Sequence, residues 1–122
     1  MTCVRRLTIA LVMALLTGLT AQSGLAETRF LRDAPDLPLA PGLNEAREQA
    51  LIYDKPGGRI VESFATGAVN PDLVLVFYRK TLPQLGWQRT GPGLYLREGE
   101  KLQIATSTEG DQVTVRFFLS PD

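Results

Sequence analysis

A chain of 122 residues, 44% hydrophobic and 21% charged, has room for one globular domain and excludes a second. Its 13 basic and 13 acidic side chains balance, and no basic field is present of the kind that holds nucleic acid by counterion release. Histidine is absent and the single cysteine is Cys3, which excludes Ser-His-Asp and Cys-His nucleophiles, histidine-ligated zinc and haem attachment through cysteine.

The N-terminus has the three parts of a secretory leader. Arg5 and Arg6 form a positive start, residues 7–19 carry no charge, and small residues follow. The apolar stretch 7–19 is shorter than the roughly 20 apolar residues a membrane span needs, and nothing later in the chain is longer. Gly24-Leu25-Ala26 supplies small side chains where signal peptidase requires them, predicting a signal peptide over 1–26 with Glu27 as the new terminus; Ala21-Gln22-Ser23 is a competing site. The rival reading keeps the segment as an uncleaved tether. Cys3 lies ahead of the apolar run and cannot be a lipoprotein anchor, and the surroundings of Arg5-Arg6 lack the usual twin-arginine context. Cleavage removes two basic residues and no acid, so the mature chain has 11 basic against 13 acidic side chains and a formal charge of −2. With no cysteine left it must fold by core burial alone.

Residues 27–49 hold Pro35, Pro38 and Pro41 at three-residue spacing, which predicts an extended, polyproline-like lead-in pinned to the domain by Leu37, Leu39 and Leu43. A proline-rich ligand for a partner is the functional alternative. Residues 44–49 have helical propensity and an Asn44 cap, but so short a segment stays unassigned. The single domain is expected over 50–122.

Residues 50–54 and 59–66 read as two strands joined by the turn residues Lys55-Pro56-Gly57-Gly58. Asn70-Pro71-Asp72 starts a helix: a capping oxygen, a proline where its missing N–H costs nothing, and a carboxylate against the positive end. The helix should reach about Leu82 and stop at Pro83 and Gly86. Asp72, Arg79, Lys80 and Gln84 share one side, and the remaining apolar residues, Phe77 among them, predict packing on more than one face. Trp87 is expected as a ring wedged under the helix end. Short strands follow at 87–90, 94–97, 101–108 and 112–119, separated by glycine-bearing turns, and read as an antiparallel meander. Val113, Val115, Phe117 and Leu119 alternate with polar residues and should face the helix, with Leu102 and Ile104 as cross-strand neighbours. The predicted fold is α+β, in the order β-β-α-β-β-β-β, with one main helix on a mainly antiparallel sheet.

Chemistry-bearing candidates are few. Glu98 and Glu100 are the closest carboxylate pair, but they flank Gly99 in a turn that would not desolvate either acid. Asp54 and Glu62 could meet across the first hairpin, with a salt bridge from Arg59 as the simpler reading. Glu109-Gly110-Asp111 is a turn and lacks the acids of a calcium loop. Lys55 and Arg59 bracket a glycine pair that could cradle an anion, although no P-loop ending or helix follows. Phe118 should point away from the helix, and with Tyr95 it could form an exposed apolar patch.

The run Val76-Phe77-Tyr78-Arg79-Lys80-Thr81-Leu82-Pro83-Gln84-Leu85-Gly86-Trp87, with the upstream Asp54-Lys55-Pro56-Gly57-Gly58-Arg59-Ile60, resembles a group of small, uncharacterised exported bacterial proteins in which such a helix runs into Gly-Trp and a β-meander. The resemblance spans roughly residues 35–120 and implies a fold, but no activity, cofactor or catalytic residue. The sequence therefore predicts a non-enzymatic binding or accessory module of the periplasm or exterior, using no cofactor and binding an unknown protein or small molecule through Tyr95, Phe118, Lys55 or Arg59. An assembly protein that associates through a sheet edge or aromatic face is the alternative, and a small carboxylate enzyme is third.

Overall fold

The computed structural model describes residues 29–122, so the expected leader lies outside the described residues. Seven strands form one antiparallel sheet: β1 Asn44–Glu45, β2 Leu51–Lys55, β3 Gly58–Gly67, β4 Gln88–Gly91, β5 Leu94–Arg97, β6 Glu100–Glu109 and β7 Gln112–Pro121. The helix α1, Pro71–Thr81, lies between β3 and β4 and passes into a 3-10 turn at Leu82–Leu85. Strands and helix fall within about two residues of the expected bounds, because proline, glycine and the Asn70 cap mark each boundary locally. The Asn70 side chain accepts from the Asp72 N–H at 2.9 Å, and Gly86 closes the helical segment in the left-handed conformation.

Sheet order is β1-β3-β7-β6-β5-β4, with β2 also pairing β3 beside β1. The meander β4 to β7 forms as expected. Its last strand then pairs with β3, so α1 carries the chain across the sheet to the far edge. In the β3–β7 and β6–β7 registers Ser63 and Ile104 both lie opposite Phe117, and Leu102 opposite Leu119. These inner-face residues meet α1 through Val74 and Tyr78, and the Tyr78 ring packs edge-on to Phe117 with centroids 5.4 Å apart.

Three expectations change. The proline-bearing segment is a run of turns and bends, not an extended lead-in: Leu31 N–H donates to Leu37 O, Leu37 N–H to Ala34 O and Leu39 N–H to Arg29 O. Folding back on itself lets Leu31, Ala34, Leu37, Leu39, Ala40 and Leu43 enter the main core, which therefore begins ahead of residue 50. Tyr78 fixes this layer, its hydroxyl donating to Pro38 O at 2.9 Å and accepting from Ala40 N–H at 3.0 Å. Gly67 allows the close approach below it, since a Cβ there would lie 2.3 Å from the Gly42 carbonyl oxygen.

Second, the helix is packed essentially on one side. Val74, Tyr78 and the following Leu82 are buried and Phe77 is half-buried at the rim, while Leu73 and Leu75 face outward, Leu73 with 66% of its surface exposed. Third, residues 44–49 form the short strand β1 and a 3-10 turn at Arg47–Gln49, with no side-chain cap. Trp87 sits buried under the helix end as predicted, and the Arg97 guanidinium stacks 4.3 Å over its ring.

Candidate functional site

Strand β2 presents three large apolar residues in a row to the outside. Leu51, Ile52 and Tyr53 retain 47%, 43% and 53% of their surface, and every residue of the strand is exposed. On one side β2 bonds to β3, Leu51 opposite Glu62 through Lys55 opposite Gly58. On the other side no strand among the described residues pairs with it, so half its backbone N–H and C=O groups face outward as a ready template for another strand. Ile52 lies opposite the buried Val61, on the helix-bearing face, yet remains exposed because the helix layer stops short of this edge.

The four residues singled out from the sequence do not converge. Tyr95 is not exposed; it is buried at 2%, on the inner face opposite Leu102. Strand alternation explains the correction, because Tyr95 shares the parity of the core residue it pairs with. Phe118 is on the outer face as expected, but it is half-buried beneath Arg116, whose guanidinium lies 4.8 Å over the ring and whose Nε donates to Glu62 Oε1 at 3.0 Å. Tyr95 and Phe118 thus occupy opposite faces, and the patch they were expected to form does not exist.

Lys55 ends β2 and pairs with Gly58 across a two-residue Pro56-Gly57 turn, and Arg59 is the second residue of β3. Arg59 lines a cavity of about 360 Å³ together with Asp33, Asp36, Glu100 and Pro121. Those carboxylates make the setting a mixed one in place of an anion cradle. Asp36 and Glu100 are both drawn to Arg97, Glu100 at 3.9 Å. Arg97 also donates to Leu85 O at 3.3 Å, clipping the proline-bearing segment, the helix end and the β5–β6 turn together.

The carboxylates of the two candidate pairs lie in different settings. Glu98 and Gly99 both take positive φ, 45° and 80°, in an exposed hairpin tip. Asp54 faces Arg59 in register with no ion pair, and Glu62 turns to Arg116. Among the described residues, no group of three or more metal-ligating side chains is clustered closely enough to hold an ion, and no helix is long and apolar enough to cross a membrane.

Two further cavities lie beside α1. One, of about 420 Å³, is an apolar groove between Ala40, Pro41 and Val69 on one wall and Leu73, Val74 and Phe77 on the other. The other, of about 300 Å³, lies between α1 and the β4–β5 hairpin and is lined by Arg79, Arg89 and Tyr95. Burial pushes the Tyr95 hydroxyl above the usual tyrosine range, and the Arg89 and Arg79 guanidiniums pull it partly back. Sequence reasoning missed both the β2 edge and this pair of arginines. Leu51-Ile52-Tyr53 has no alternation that would reveal an unshielded face, and the Arg79–Arg89 convergence depends on how the helix crosses the sheet. No protein-family model, curated protein or solved structure matches the chain.

Proposed function

We propose that the chain is an exported, non-catalytic binding module that docks a partner protein by strand addition at the β2 edge. The export half of this reading is supported by Arg5-Arg6, the uncharged run at 7–19 and the small residues up to Ala26. The binding half rests on one observation: five consecutive edge residues are all exposed, three of them large and apolar. Natural sheets blunt such edges with charges, prolines or bulges, and β2 carries its charges, Asp54 and Lys55, only at the turn end, leaving Leu51 to Tyr53 unguarded. An extended partner segment would gain main-chain hydrogen bonds along β2 and apolar contact with Leu51, Ile52 and Tyr53.

A second reading, self-assembly, uses the same edge: two copies of β2 can pair antiparallel about Tyr53. A carboxylate enzyme is disfavoured, since Glu98 is exposed at a hairpin tip while Glu100 is drawn to Arg97. The test compares the exported protein with its Ile52→Lys and Tyr53→Lys variants. Partner capture from the native envelope should be lost in both, while Leu73→Lys on the helix leaves it intact. If sedimentation instead shows wild-type dimers that Ile52→Lys dissociates, the assembly reading replaces the first. A protein that stays monomeric at high concentration and whose captured partners are unchanged by Ile52→Lys defeats both.

A further inference from the structure

Arg79 leaves the last turn of α1, and Arg89 stands on β4 directly opposite Tyr95. Both side chains line the cavity of about 300 Å³, with Tyr95 contributing its buried ring, Leu75 and Val76 an apolar wall, and Gly93 the hairpin turn. Among the described residues neither guanidinium is in an ion pair, whereas Arg47, Arg97 and Arg116 each hold a carboxylate. Asp72 also lines the cavity, but it lies two turns from Arg79, about 10 Å along the helix axis, and pairs with neither arginine. An anion in a cavity lined by two guanidiniums that no carboxylate pairs is attracted by both. Arg79, Arg89 and Tyr95 all line this one space.

We propose that this cavity is a binding site for a small oxyanion, a carboxylate or phosphate group held between the Arg79 and Arg89 guanidiniums and completed by the Tyr95 hydroxyl. Planar guanidiniums match the paired oxygens of such groups, and donors from a helix and a hairpin reach it from two sides. A volume near 300 Å³ sits at the small end of ligand sites, so the ligand has few heavy atoms. The Leu75–Val76 wall favours one with a short apolar body. This site is separate from the β2 edge and stands or falls independently of it.

The full chain is expressed, the exported protein is labelled with nitrogen-15, and it is titrated at low ionic strength with isovalerate and, separately, with inorganic phosphate. Saturable shifts of the Gly93 and Arg89 amide resonances are expected. Tighter binding of isovalerate identifies the carboxylate source, and tighter binding of phosphate the phosphate source. Arg79→Gln and Arg89→Gln should each weaken binding about 10-fold or more, with unchanged melting curves, since both side chains are exposed. Arg89→Lys should recover part of the loss by restoring charge without the planar fork, and Lys101→Gln on the opposite face should change nothing. No saturable shift with either anion up to about 10 mM, or shifts that persist in the double arginine variant, would overturn the site.

Discussion

The two strands of the first hairpin are neighbours in sequence and opposites in structure. In β3 every second residue from Val61 to Gly67 is buried, while in β2 none is. Both are apolar enough to be strands, and they pair residue for residue. The difference lies in what surrounds them: β3 is held between β2 and β7 under the helix layer, and among the described residues β2 has one neighbouring strand and no cover. Apolar character therefore marks a core strand in one case and an open edge in the other, and only the number of neighbours separates them.

The largest test of that contrast is Phe117→Ala against Ile52→Ala. Phe117 is buried between Ser63 and Ile104 and touches Tyr78, so its truncation should cost about 3–5 kcal/mol in denaturant unfolding. Ile52→Ala should change stability by less than about 0.5 kcal/mol. A large loss at Ile52 would mean that the β2 edge is covered after all.

Tyr78→Phe comes next. It leaves Pro38 O and Ala40 N–H without their partner inside the protein, at a cost of about 1–3 kcal/mol. Ala40 should lose hydrogen-exchange protection before β6 and β7 do. The same residue sets an alkaline limit. Burial raises the Tyr78 hydroxyl well above its ordinary value, against a smaller opposing pull from its bond to Ala40. Below about pH 10 its contribution is complete; above that the unfolded chain ionises while the folded one does not, so stability falls as pH rises. Tyr78→Phe should flatten this slope, and the part that remains belongs to Tyr95, raised by the same cause. An unchanged alkaline slope would place the Tyr78 ring outside the core.

The smallest effect is expected at Ser63, which is fully buried with its hydroxyl unpartnered on the inner face of β3. Ser63→Ala removes that orphan and should be neutral or stabilising by up to about 1 kcal/mol. A clear destabilisation by thermal melting would reveal a hydrogen bond at that hydroxyl.

Much of the fold was legible because its signals are local. Asn70-Pro71-Asp72 starts the helix, the glycine-bearing turns separate the strands, and the alternation of Val113, Val115, Phe117 and Leu119 assigns the inner face. The candidate sites were less legible. Tyr95 and Phe118 each fit an exposed ring by composition, yet one lies under the helix and the other under Arg116. Lys55 and Arg59 looked like a cationic turn until the fold brought Asp33, Asp36 and Glu100 to it.

The sequence by itself determined where α1 and the strands β2 to β7 start and stop, because caps, prolines and glycines act within a few residues of themselves. Only the tertiary structure decided that β7 pairs with β3, that the proline-bearing segment supplies core, and that Arg79 and Arg89 line one cavity. Those outcomes depend on contacts between distant parts of the chain, whose free energy comes from shared burial and not from any local preference.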